Sequence, residues 1–355
     1  MASTVSQKVS FFPETTYGTA NVSSGGRAYK TKEDGGWTYI TEPVVADGFY
    51  EGRQAALSED SEQVIKGYEG SYSKALRTHG EELFFLDAVG VHNAAPAVVA
   101  PATTPPTYTK TYETAADGPE GSYTIVVDRA QERVAAATNY RRDVYAGAMV
   151  KSWGLTASVG SDPVMVNADY VAQSKTSTDE ASPITAPYAA ATVLTPRAFG
   201  WQNVEIRVGA EGVVGATIMN YVSSFSYSQD NAMKADRWYL KGSASMDQPK
   251  HTDAYKGTVS LELHFSDEAE TAIRDRFEKD NKISIEFTAK RESAANQNEY
   301  TAVLWLPSVL ITNAAPTSSL TDLTTLSVAG ELKWQPSATV PAARLTLTTE
   351  GTTNP

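Results

Sequence analysis

The sequence predicts an all-β protein with a few short helices, and three observations carry that expectation. Many segments alternate apolar and polar residues with period two. In "TVSLELHF", Val259, Leu261, Leu263 and Phe265 share one face while Thr258, Ser260, Glu262 and His264 share the other. Charged residues make up only 20 % of the chain, below the roughly 25 % common in soluble domains, so large polar areas must be built from Ser, Thr, Asn and Gly. Helical periodicity is confined to two short stretches.

Taken in order, residues 1–60 are rich in glycine and polar residues and read as an N-terminal arm. Strands are predicted at 64–77, 122–128, 145–159, 163–173, 202–208, 217–228, 237–246, 258–265, 283–289, 299–311, 324–334 and 343–348. One domain, 61–340, would hold all but the last of them, since no sharp shift in composition and no internal repeat of roughly 20–50 residues divides the chain. Residues 91–121, dense in Ala, Pro and Thr, read as a surface insertion, 176–200 as a second irregular stretch, and 341–355 as a C-terminal tail.

Both helices carry start signals. Thr78 and Glu81 are spaced as a capping box ahead of "ELFFLDAVG", with Gly90 as its stop and Leu83, Phe85, Leu86 and Val89 as its apolar side. The second helix would open at Ser266 or Asp267, with Glu270 three residues after the aspartate, and present Ala269, Ile273 and Phe277 to the core.

That second helix is crowded with carboxylates, which could bind a metal or cleave a sugar. Helix physics explains them without chemistry. Asp267, Glu268 and Glu270 fall in the first turn and Lys279 and Lys282 at the far end, as the macrodipole favours, and Glu270/Arg274 and Asp275/Lys279 have ion-pair spacing. The four histidines, 79, 92, 251 and 264, show no helical zinc spacing and read as surface residues. No nucleophile elbow, phosphate loop or calcium loop is present. The residues predict no catalytic, cofactor or metal site. Trp153, Trp201, Trp238, Trp305 and Trp334 lie in or beside strands and are expected in the core rather than on a sugar platform. Asn21, in "NVS", matches a glycosylation sequon by chance in the absence of a visible secretory signal.

Net charge is −12, from 42 acidic and 30 basic residues. Such a field opposes tight binding to nucleic acid or to anionic membranes. The chain has no cysteine, which removes disulfides, thiolate catalysis and cysteine-based zinc sites. No apolar run approaches the roughly 18 residues of a membrane span, so synthesis in a cytoplasm without membrane insertion is expected.

Four stretches together resemble the tail tube (major tail) proteins of long, non-contractile-tailed bacteriophages. They are "FPETTYGTA" near the N-terminus, "VIKGYEGSYSKALRTHGEELFFLDAVG", "YAGAMVKSWGLTASVGSDPVMVNADYVAQSK" and "GTVSLELHFSDEAETAIRDRFEKDNKISIEFTAK". The resemblance implies a β-sandwich of two packed antiparallel sheets flanked by a helix, with sheets joining between subunits into a ring-shaped barrel. It implies a non-enzymatic virion protein, made in a bacterial host, whose hexameric rings stack into a conduit for the genome. Its partners would be itself, a tape measure protein, and the tail terminator and distal tail proteins, with DNA passing transiently and without specificity.

With four strands per subunit, as the resemblance implies, a ring of about 24 strands spaced about 4.8 Å and tilted about 40° has a backbone diameter of about 48 Å. Side chains would leave about 38 Å, wide enough for a duplex with grooves about 8 Å deep. The turn Ser158, Val159, Gly160, Ser161 and Asp162 is the candidate contact between rings, with the arm and the tail. Competing readings are a capsid decoration or tail-fibre sandwich that binds glycans, and a secreted carbohydrate-active enzyme, which would need a signal peptide.

Overall fold

A computed structural model describes residues 7–32, 35–45, 61–92, 97–100, 107–114, 121–131, 139–160, 162–182, 184, 197–215, 217–239, 245–266, 269–279, 282–292, 299–318, 324–334 and 340–350. Within them the chain is predominantly strand, as the alternation requires. Three antiparallel layers are built around two long strands, β9 (Asn139–Ser158) and β19 (Glu299–Thr317), each of which bends and belongs to two layers.

The first layer runs β2 (Arg27–Tyr29), β1 (Gln7–Pro13), β8 (Tyr123–Gln131), the first half of β9, and β11 (Ser174–Glu180). The middle layer runs β3 (Thr38–Val45), β4 (Ser61–Ala75), β10 (Met165–Ala172), the second half of β9, β14 (Val222–Asp230), β17 (Lys256–His264), β20 (Thr325–Leu332), and the second half of β19. The third runs β13 (Thr217–Ile218), β12 (Val204–Ala210), β18 (Ile283–Glu292), the first half of β19, β21 (Arg344–Glu350) and β7 (Thr107–Glu113), edged by β5 (Val91–His92) and β6 (Ala97–Ala100). A separate pair, β15 (Met233–Lys234) and β16 (Lys250–His251), stands outside these layers.

The pairing pattern occurs twice. β1 pairs β8 as β12 pairs β18, β2 pairs β1 as β13 pairs β12, and β3 pairs β4 as β14 pairs β17. β10 bridges β4 and β9 as β20 bridges β17 and β19, and β11 flanks β9 as β21 flanks β19. Even the irregularities coincide. The β8–β9 ladder slips between Tyr123 and Ile125 and the β18–β19 ladder between Ile283 and Ile285, while matching slips fall at Asp169/Tyr170 and Ile311/Asn313. Matching the ladders sets Pro13 to Ala210, Ala148 to Val309 and Met165 to Thr325. The chain therefore holds two copies of one architecture, a repeat far longer than the periods that sequence inspection tests, and each copy places four strands in the middle layer.

One continuous core joins the copies. Phe11 of β1 meets Tyr72 and Tyr170 of the middle layer at 5.5 and 5.6 Å, and Phe225 meets Phe287 of the third layer at 4.9 Å. Helix α1 (Glu82–Val89) is buried on nearly every side, with Phe84 edge-on to Tyr29 and Phe85 edge-on to Trp153.

Several expectations are corrected. The segment 91–121 is not merely a surface insertion: β7 lies beside β21 and buries Tyr112. The tail contributes β21, with Leu345 and Leu347 buried, and the arm contributes β1, β2 and β3. Within 176–200, residues up to Glu180 belong to β11. The described part of 237–246 is irregular rather than strand.

The capping box of α1 does not form. Glu81 accepts the Arg77 N–H and pairs with the buried Lys74, while Thr78 accepts the Arg197 N–H. Gly90 does follow the last turn, with φ of 132°. The second helix is a π-turn (Glu270–Arg274) running into a single α-turn, α2 (Asp275–Glu278). Ser266 caps it, accepting the Ala269 N–H at 3.3 Å. The wider turn keeps Ala269 and Ile273 in the core but leaves Phe277 38 % exposed, and Arg274 pairs forward with Glu278 at 3.2 Å.

Candidate functional surface

The middle layer buries one face under the other two layers and α1 and leaves its other face open. β17 alternates strictly: Val259, Leu261 and Leu263 are buried, while Lys256, Thr258, Ser260, Glu262 and His264 are exposed. The ladders extend this open face sideways. Ser224, Ser226 and Ser228 stand opposite Glu262, Ser260 and Thr258, and on the other side Thr156 stands opposite Ser226. Ser327 and Glu331 of β20 flank β17 from the far side. Short hydroxyl side chains dominate, so the face is smooth as well as polar.

Its charges are sparse and mostly acidic. Asp169 accepts the Ser152 hydroxyl at 2.5 Å, and Asp230 and Glu262 are exposed. Glu69 has Lys151 at 3.4 Å and Glu331 has Lys333 at 2.7 Å. Lys256, the one lysine of β17 here, lies 3.8 Å from Asp253. A polyanion meeting this face finds few cations to release counterions.

The turn after β9 closes one end of this surface. Val159 is 58 % exposed although its N–H donates to the Ser223 carbonyl at 2.9 Å, and Gly160, with φ of 152°, has open space around it. Ser158 and Val159 line a cleft of about 450 Å³ with Trp201 and Ile218. Asp162 is exposed, and Ser161 lies outside the described residues.

Other expectations divide. Trp153 and Trp305 are buried, but Trp201 and Trp334 are 42 % and 46 % exposed, against the core reading. Trp238 donates to the Lys66 carbonyl at 3.1 Å. His79 is buried, not a surface residue, with its Nδ1 2.9 Å from the Thr78 hydroxyl. His264 is exposed, and the side chain of His92 lies outside the described residues. Among the described residues no group of three or more His, Asp or Glu side chains converges for a metal, and no helix is long and apolar enough to cross a membrane. Asn21, the sequon residue, ties a turn by donating to the carbonyls of Pro13 and Ser24.

Inspection of the sequence gave Glu14 no role. Its carboxylate accepts the N–H groups of Gly18 and Gly147, both at 2.9 Å, and the hydroxyls of Ser122 and Thr124, both at 2.7 Å. "FPETTYGTA" is thus a clamp: the glutamate closes its own Tyr17–Gly18 turn and grips the bend of β9. The motif was visible in the sequence, but the bend that it holds was not.

The sequence matches a family described as phage tail tube protein over residues 4–332, nearly the whole chain. The chain belongs to the phage tail tube protein family. No curated protein is significantly similar to it in sequence. Family membership makes it a structural component of a phage tail, within a family whose members assemble into a tube. For a tail tube protein, the surfaces that matter are those that meet other copies and the one that meets the cargo. The resemblance implied four strands per subunit in the barrel wall; this tail tube chain carries eight in its middle layer.

Proposed function

We propose that the open face of the middle layer lines the bore of a hollow tube, through which the genome passes into the host. The tube consists of stacked rings, each a closed barrel of six four-stranded units. The observation that carries this reading is the continuity of the smooth, hydroxyl-rich, weakly acidic face across the middle layer. Such a face offers phosphates few cationic partners, so DNA slides instead of sticking.

Ring closure removes the open edges of the middle layer, which would otherwise invite uncontrolled pairing. Stacking is head to tail and propagates as an open filament. The turn from Ser158 to Asp162 contacts the next ring, and exposed Val159 and Trp201 supply its apolar surface. A tape measure protein in the bore and terminator and distal tail proteins at the ends complete the assembly in this reading.

Electron microscopy of the purified protein at rising concentration tests it, with hollow tubes as the expected result. Discrete particles at every concentration, together with glycan binding, would favour a decoration or tail-fibre role. Phage carrying Ser260→Lys and Ser327→Lys should assemble but eject DNA more slowly, with the defect relieved by salt. Ejection at the normal rate would remove this face from the bore.

A further inference from the structure

We infer that the tail tube ring closes with three copies of this chain, through pairing of the second half of β19 in one copy with β3 of the next. The inference rests on the tube reading above. Its observation is the internal repeat, in which each half supplies four strands to the middle layer: β3, β4, β10 and β9, then β14, β17, β20 and β19.

The two halves are already joined once. β9, the last middle-layer strand of the first half, pairs with β14, the first of the second half, from Ser158 opposite Ser224 to Ser152 opposite Asp230. The equivalent edges at the two ends of the layer are β19 and β3, and among the described residues each has a middle-layer neighbour on one side only. Six units need six such joints. Three are made inside chains by β9 and β14, so three chains complete the circle, and the barrel keeps the roughly 24 strands of a ring built from single units.

The matched ladders also fix the register of the joint. Thr38 takes the place of Ser228, Tyr39 of Gln229 and Ile40 of Asp230, while Asn313, Ala314 and Ala315 take the places of Ser152, Trp153 and Gly154. Thr38 then falls opposite Ala315, Tyr39 opposite Ala314, and Ile40 opposite Asn313. Exposure agrees: Gln229 is fully buried at the internal joint, whereas Tyr39, its counterpart at the open edge, is 56 % exposed. Pro316, beyond Ala315, withholds one N–H and limits the ladder there, a device that blunts an edge against indiscriminate pairing.

The chain lacks cysteine, so the joint can be tested by a single engineered pair, and directly opposed strand residues lie within disulfide reach. The variant Thr38→Cys with Ala315→Cys, oxidised after assembly, should give covalent species of one, two and three chains and nothing larger. Native mass spectrometry of reduced rings should give three chains of 38.2 kDa. Each single-cysteine variant should stay unlinked. Tubes whose rings contain six chains, or tubes of the double variant that do not cross-link, would overturn the joint while leaving the tube reading intact. A wild-type protein that never forms rings or tubes would overturn both.

Discussion

Glu14 and Glu211 hold the same position in the two halves of the chain, each just beyond one of the matched strands β1 and β12 and each gripping the bend of a long one. Glu14 accepts the Gly147 N–H at 2.9 Å, and Glu211 accepts the hydroxyl of Ser308, the counterpart of Gly147, at 2.7 Å. Ser122, which donates to Glu14, is replaced at the second corner by Lys282, whose ammonium lies 3.5 Å from Glu211. Glu14→Gln puts an amide donor among four donors, and should cost about 2–3 kcal/mol, a fall of roughly 3–4 °C in Tm for a chain of this length. Glu211→Gln, at a more exposed corner, should cost less. Thermal melts of the two variants check the order, and equal losses would contradict it.

Gly147 tolerates no side chain. Its φ is +67°, and an added Cβ would lie 2.9 Å from the Gln173 Cβ and 3.1 Å from the Tyr17 ring. Gly147→Ala should destabilise the protein by about 2 kcal/mol or more, part from the left-handed backbone and part from the clash. Ser308→Ala, at the matching bend, carries no such clash and should cost about 1 kcal/mol for its lost hydrogen bond. Urea unfolding separates the two.

Lys74 and Glu81 form a buried ion pair, with the ammonium also over the Tyr29 and Phe84 rings at 4.5 and 4.3 Å. Burial pushes the Lys74 pKa down, Arg77 adds to that, and Glu82 opposes it. Lys74→Met strands a buried carboxylate and should cost about 3–5 kcal/mol. Adding Glu81→Leu should recover much of that loss, because two apolar groups then replace the pair. A double-mutant cycle in denaturant measures the coupling, and strictly additive losses would refute it.

Asp143 makes the first layer sensitive to acid. Burial acts to raise its pKa, but hydrogen bonds from Ser177, Lys175 and Arg129 outweigh burial and hold it below the ordinary value. A depressed carboxyl contributes stability above its unfolded pKa, near 4, and loses it as pH falls through the folded value. Asp143→Asn should therefore be less stable at pH 7 and lose less stability on acidification. Melting temperatures from pH 7 to 3 read both effects, and parallel curves would remove Asp143 as the cause.

What the sequence made legible follows from physics that acts locally. Alternation exposed β17 because it has one dry and one wet side, so Val259, Leu261 and Leu263 declare their face; β18 alternates in sequence too, yet Ser284 and Glu286 are buried with Ile283, Ile285 and Phe287. β7 was hidden because its Thr-rich run sits among Ala and Pro, and only the neighbouring β21, distant in sequence, shows that Tyr112 is covered. The repeat was hidden because it preserves pairing partners and slips in register rather than residue types: Gly147 answers to Ser308, and Ser122 to Lys282. The acidic face of the second helix follows from the same repeat. α1 packs against β9, β7, β5 and β21 and buries even Glu82, whereas among the described residues α2 has less cover and leaves Phe277 exposed.

The pairing of β7 with β21 also governs when the protein can finish folding. Glu113 meets Arg344, so one side of β7 stays open until more than half of the chain has followed it. At about 5–20 residues per second this wait lasts roughly 10–50 s. Until then β7 has no partner on its β21 side and the third layer stays incomplete. The layer therefore closes only after β21 has left the ribosome, so a sound building block appears long after β7 itself has been made.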